Sequence, residues 1–351
     1  MALDPGGGLV REPQSFMDYL GRVRPLIDAR LAQAMPTPAD AHPDLDGYLY
    51  GPTRHFACGA GKRMRPALCL LGCEAVGGSP EDALDVAAAL EVFQAAALIH
   101  DDIADKSQTR RGEPCLHLTQ GIGPAINDGD LAIVDVFGAI IANGERPAAT
   151  TLALLREVEA MMRRTLEGQA LDLCWVRDDR WDLKIEDYLV MATLKTAHYT
   201  AASPLALGAT IGGGTPQQVE ALREFGLGCG LAFQVADDLL CLCGDTQQIG
   251  KDALGDLTEG KRTLAVVFAL RNLGEDDAGE LMGILRSHTS DQQLLARAVE
   301  LIRASGAIDY CERFAHETCA AAKRTLATAG IDERSTLTLL SMADAFVDRT
   351  S

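Results

Sequence analysis

Between Leu98 and Gly112 the chain reads LIHDDIADKSQTRRG. On a helix, Asp101 and Asp105 stand one turn apart on a single face, with Asp102 beside them. Like charges stacked so closely need a compensating cation, and oxygen ligands with no His or Cys among them favour Mg²⁺ or Mn²⁺. Arg110 and Arg111 follow at once, and their planar guanidiniums match phosphate oxygens. Carboxylates, a divalent ion and arginines in one place suit a polyphosphate. The plainer reading is a capped helix end with solvated charges. Against it stands a second acidic pair, Asp237 and Asp238, far down the chain.

The element that must carry the first pair runs from about Glu81 to Lys106. It is apolar over most of its circumference between Val86 and Ile99, which predicts a buried, central helix. Its negative carboxyl end makes the aspartates less comfortable still and again calls for metal. Other helices are expected from Ser15 to Ala34, Tyr48 to Cys58, Ala125 to Ala142, Ala149 to Leu173, Ile185 to Ile211, Gln217 to Leu242 and Thr263 to Leu273, with three or four shorter ones after them. Ser79 is expected to cap the central helix, Pro66 to start one, and Pro204 to kink its own. In Gly59-Ala60-Gly61-Lys62-Arg63-Met64-Arg65, glycines precede a basic cluster at a helix start, which suits anion capture, although this is not a P-loop. No run of alternating strands is evident. The expectation is an all-α protein: residues 1–14 disordered and 15–351 one domain, with two acidic helices facing each other across a cavity.

Composition agrees. The chain has 351 residues, 47% hydrophobic and only 5% aromatic, rich in Ala and Leu, which favours close-packed helices. Fifty acidic against 32 basic residues give a net charge of −18, which repels nucleic acid and anionic lipid. The same field repels a diphosphate, so binding one requires local cations. The ten cysteines include no CxxC pair or zinc-like spacing, and read as core thiols in a reducing cytoplasm. The first residues lack a signal-peptide pattern, and no uninterrupted apolar run of about 18 residues predicts a membrane span.

The second cluster reads FQVADDLLCLCGDTQQIGKDALGDLTEGKRT over residues 233–263. With GAGKRMRP, LIHDDIAD, RRG, GDL at Gly129, GQALDL at Gly168 and KTA at Lys195, all in order, the chain resembles the trans-isoprenyl diphosphate synthases, the polyprenyl synthetase family. The resemblance implies the all-α isoprenoid synthase fold, a homodimer, and a reaction joining an allylic diphosphate to isopentenyl diphosphate. It implies Mg²⁺, three ions per site, with Mn²⁺ as a substitute. Asp101, Asp105 and Asp237 would ligate metal. Arg110, Lys195, Thr196, Gln234, Lys251 and Lys261 would surround the allylic diphosphate, and Lys62, Arg65 and Arg111 would hold isopentenyl diphosphate.

Two positions depart from the family pattern. Cys241 stands where many members carry a third acid, and a thiol is a poor Mg²⁺ ligand. Asp245 lies too far along a continuing helix to replace it. Gln94 stands where a His often helps bind isopentenyl diphosphate; it donates a hydrogen bond without charge. Product length is read from the stripe Asp101, Ala97, Phe93, with Ala96 alongside. A growing tail passes the two alanines and meets Phe93 about one turn, 5.4 Å, deeper. That predicts a product longer than farnesyl, most simply geranylgeranyl diphosphate. The competing readings are a farnesyl or longer-chain synthase, a class I terpene cyclase, and a non-catalytic partner subunit. Asn127-Asp128 makes a poor cyclase metal motif, because Leu131 takes the place of its Ser.

Overall fold

The computed structural model describes residues 15–243 and 254–348. Ser15 caps α1 (Phe16–Ala34) by accepting from the Asp18 N–H. After the Pro36–Pro43 linker, a wide-turned stretch, Asp46–Tyr50, runs into α2 (Gly51–Cys58). Next come α3 (Met64–Ala75), the central α4 (Leu84–Ala104), the short α5 (Leu116–Thr119), α6 (Ile122–Ile141) and α7 (Ala148–Arg177). The predicted helix at 185–211 is three segments: α8 (Ile185–Ala192), a wide-turned stretch Thr193–Ala202, and α9 (Ser203–Ile211). The long α10 (Pro216–Cys243), α11 (Gly255–Thr258) and α12 (Leu264–Asn272) complete the cavity side. A layer of α13 (Glu275–Arg286), α14 (Gln292–Ala304), α15 (Ala307–Thr325) and α16 (Glu333–Val347) closes the chain.

α4 packs on α1, α3 and α6, while α10 packs on α15 and on the stretch 193–202. Both have the length and composition of a membrane span. Yet most of the apolar window of α4 and half of that of α10 is buried inside the protein, and both helices carry carboxylates. One contiguous core runs from Phe16 on α1 to Phe346 on α16.

Three local expectations change. Ser79 makes no capping bond to the backbone; a 3₁₀ turn, Pro80–Ala83, precedes α4 and the Ser79 hydroxyl turns to Glu81. α3 begins at Met64, two residues before Pro66, with Arg63 in the left-handed region at φ 55°. Pro204 stands at the junction of the wide-turned stretch with α9 and not inside a regular α-helix. Two-residue strands, Thr109–Arg110 and Glu113–Pro114, form an antiparallel ribbon turned by Arg111 and Gly112, both at positive φ. The expected disordered segment, residues 1–14, lies outside the described residues, as do Asp245 and Lys251.

Candidate active site

A cavity of about 560 Å³ opens between α4, α6, α7, α10 and the stretch 193–202. Asp101 lines it from α4, and Asp237 and Asp238 line it from α10. The two acidic walls therefore share one space, as the twin motifs predict. Arg65, Gln94, Arg110, Lys195, Thr196, Gln234, Cys241 and Lys261 also face it, and Phe93, Ala96 and Ala97 line its apolar part.

The α4 wall is interlaced with cations. Gln169 Nε2 donates to Asp101 Oδ1 at 2.9 Å, and Arg110 lies 3.7 Å from Asp101 Oδ2. Burial opposes charging Asp101, but the fields of Lys195, Lys261 and Arg110 with the Gln169 bond outweigh it and hold the carboxyl below its usual range. Lys195 Nζ sits 2.5 Å from Asp172 Oδ2, and Lys261 Nζ 3.2 Å from Asp105 Oδ2. Lys261 also meets Glu259 at 2.5 Å and Asp256 at 3.6 Å. So many acids hold its ammonium well above the usual lysine range, although burial pulls the other way. Asp105 has only a share of that cation, and burial and the neighbouring Asp101 push its carboxyl up.

On α10, Asp238 is held by neutral donors. Tyr188 OH donates to Asp238 Oδ2 at 2.7 Å and Gln234 Nε2 to Asp238 Oδ1 at 2.6 Å. Thr196 Oγ1 donates in turn to Gln234 Oε1 at 2.5 Å. Burial first, then the charge of Asp256, pushes the Asp238 carboxyl far up despite those bonds.

Not every predicted residue meets the cavity in the expected way. Asp102 turns from the acidic stripe and takes Arg110, whose Nε is 2.7 Å from Oδ1. Arg110 thus spends its fork on protein while still lining the cavity. Arg111, turned by its positive φ, reaches Glu91 at 3.5 Å and the Phe56 carbonyl at 3.2 Å. Lys62 is exposed and is absent from the cavity lining. Arg65 Nη2 donates to Tyr199 OH at 2.7 Å and Thr200 Oγ1 at 3.0 Å. Its Nε and the Oε1 of Gln94 are buried with no hydrogen-bond partner among the described residues. Arg63 carries the GAGKRMRP loop from beneath. It is bound to Glu91 at 2.6 Å, Asp28 at 2.8 Å and the Gly59 carbonyl at 2.8 Å.

Sequence reasoning misses Gln169 and Asp172, although they stand three apart in GQALDL on one helix face. A lone Glu91 in an apolar run was an available sign of a buried partner. Tyr188 and Tyr199 carried no sequence signal. Leu166 lines the cavity and is 64% exposed.

With that geometry in place, the sequence profile of the polyprenyl synthetases matches residues 46–302. The chain belongs to the polyprenyl synthetase family. It is a prenyltransferase with the all-α isoprenoid synthase fold. A short chain isoprenyl diphosphate synthase of Methanothermobacter thermautotrophicus is 38% identical over 331 residues, 94% of this chain and 97% of that one. A geranylgeranyl diphosphate synthase of Sulfolobus acidocaldarius is 32% identical, across 77% of this chain and 81% of its own. Among solved structures, the geranylgeranyl pyrophosphate synthase of Corynebacterium glutamicum, complexed with isoprenyl diphosphate and magnesium, superposes with a TM-score of 0.86. It is 30% identical, with 96% of this chain and 100% of that chain covered.

Proposed function

We propose that this prenyltransferase condenses an allylic diphosphate with isopentenyl diphosphate head to tail, releases pyrophosphate, and makes chiefly geranylgeranyl diphosphate. The observation that carries this reading is the polarity of this cavity. Acids from two helices and cations from other segments crowd one end, while Ala97, Ala96 and Phe93 line an apolar path leading from it. No group of three His, Cys, Asp or Glu side chains among the described residues encloses an ion by itself. That fits Mg²⁺, which binds through one or two carboxylates plus substrate phosphates and water. Asp101 and Asp105 on one wall and Asp237 on the other would hold it, up to three ions in all, with Mn²⁺ as a substitute. The bound ions supply Lewis-acid stabilisation of the departing pyrophosphate.

The protein's own groups do the rest. Lys195 and Lys261, kept charged by their acid partners, neutralise the leaving diphosphate, and Thr196 and Gln234 orient it. The allylic C–O bond breaks, and the isopentenyl double bond supplies the electrons of the new C–C bond. A proton then leaves the adjacent carbon. Arg65 and Gln94, with buried polar atoms to spare, bind isopentenyl diphosphate, and apolar lining keeps water from the cation. Lys251 would join the allylic site from outside the described residues. Purified chain incubated with Mg²⁺, isopentenyl diphosphate and each allylic primer should yield twenty-carbon geranylgeraniol after phosphatase. No product with any primer would defeat the reading, and a fifteen-carbon end point with Phe93 intact would misplace its floor.

A homodimer accompanies this reading. Ile122, Ile126, Val134 and Ile141 of α6, with Leu152 and Leu166 of α7, are all at least 43% exposed. Such an apolar face is what a second copy would cover. Sedimentation at micromolar concentration should give twice the chain mass of 37.4 kDa, and a monomer would remove the dimer from the proposal.

A further inference from the structure

Resting on that functional reading, we infer that Tyr199 couples product length to isopentenyl diphosphate binding. It is a positioning residue through which a fully grown tail loosens Arg65. The Tyr199 ring stands between the two ends of the coupling. Its edge meets Phe93 with centroids 5.9 Å apart and planes at 87°. Its hydroxyl accepts from Arg65 Nη2 at 2.7 Å, and the Arg65 guanidinium carbon lies 4.2 Å from its centroid. The residue that floors the hydrocarbon path and the arginine that holds the second substrate thus grip the same phenol.

The backbone leading to that phenol is closely packed. Tyr199 lies in the wide-turned stretch Thr193–Ala202, clamped between two helices at glycines. A methyl at Gly230 of α10 would come within 2.7 Å of Ala197 Cα, and one at Gly168 of α7 would collide with Lys195. Interiors packed this closely transmit displacement instead of absorbing it. A tail tip pressing on Phe93 therefore tilts the Tyr199 ring, and tilting a ring moves its hydroxyl most. Arg65 then loses a hydrogen bond and its stacking partner together. Elongation stops because the second substrate no longer binds well, before the tail is sterically blocked.

The test uses sulfur-bridged analogues of ten-, fifteen- and twenty-carbon allylic diphosphates, whose C–S bond does not ionise, with calorimetric titration of isopentenyl diphosphate into each complex with Mg²⁺. The dissociation constant should rise about tenfold or more between the ten- and twenty-carbon complexes, the scale of one hydrogen bond to a charged group. Tyr199→Phe keeps the ring contact and removes the hydroxyl. It should weaken isopentenyl diphosphate binding already with the ten-carbon analogue and flatten the dependence on length. With a ten-carbon primer it should raise KM for isopentenyl diphosphate and leave kcat nearly unchanged. Phe93→Ala should shift the rise to a longer analogue. Equal affinity at all three lengths in the unaltered enzyme, or an undiminished length dependence in Tyr199→Phe, overturns the coupling while leaving prenyl transfer standing. Absence of turnover with any natural primer instead removes the functional reading, and the coupling with it.

Discussion

Asp101 and Asp238, on the two acidic walls of the cavity, are held by different electrostatic means. At the end of α4, the fields of Lys195, Lys261 and Arg110 hold Asp101 charged, while Asp105 has only a share of Lys261. On α10, Asp238 is steadied by a phenol and an amide, and Cys241 stands where a third acid would have been. Asp101 thus meets charged partners within the protein, whereas the hydrogen bonds described for Asp238 come from neutral groups. The difference teaches that twin sequence motifs need not be twin sites, because the cations that complete a carboxylate cluster come from elsewhere in the chain.

The most severe challenge to this contrast is Asp101→Asn, which removes a charge that three cations are arranged around. We expect kcat to fall by about 10³-fold, the scale of losing a preorganised electrostatic contact, measured with radiolabelled isopentenyl diphosphate. Asp238→Asn should cost only about tenfold, since Tyr188 OH can still donate to an amide oxygen. Equal losses at the two positions would erase the distinction. Lys261→Met should fall between them, and its loss should grow as pH rises through the range where Asp105 ionises, because Asp105 then charges without its cation.

Cys241→Asp sharpens the contrast from the other side. Restoring an acid to the α10 wall should lower the Mg²⁺ concentration for half-maximal rate by several-fold, with kcat changed little, since a carboxylate suits this ion and a thiol does not. An unchanged Mg²⁺ requirement would show that Cys241 is irrelevant to metal.

The smallest effect lies outside the cavity. Asp128 on α6 is fully buried, accepts only from Thr53 at 3.3 Å, and leaves Oδ2 without a hydrogen-bond partner among the described residues. Burial pushes its carboxyl up to about 6 from 3.8, and the Thr53 bond only partly offsets this. The folded state therefore holds the proton more tightly than the unfolded chain. That contribution is whole below pH 3.8 and is lost as pH rises to about 6. Asp128→Asn should gain on the parent by about 1–3 kcal/mol across that window and hold a constant difference above it, read from urea unfolding at each pH.

Much of this arrangement was legible in the sequence, for physical reasons. An all-round apolar helix has to be central, and carboxylates four apart share a face, so α4 and its Asp101–Asp105 stripe followed from spacing alone. The partners did not. Asp102 lies off that stripe, and only the ribbon at residues 109–114 brings Arg110 back to it. The left-handed backbone of the turn brings Arg111, a phosphate candidate by its residue type, to Glu91, a partner that spacing does not reveal. The widened turns at 193–202 have no residue pattern of their own. They lie where Gly168 and Gly230 let neighbouring helices approach closely.

Leu166 belongs both to the cavity lining and to the apolar face that a second copy would cover, so in a homodimer the partner subunit would back the hydrocarbon path there. Each square ångström of hydrocarbon kept from water in this way is worth roughly 25 cal/mol. The longest chain this protein can hide would therefore depend on its assembly as well as on the depth of the pocket. Swapping that leucine for a smaller or bulkier neighbour would open a window or shutter it, leaving the helices themselves where they are.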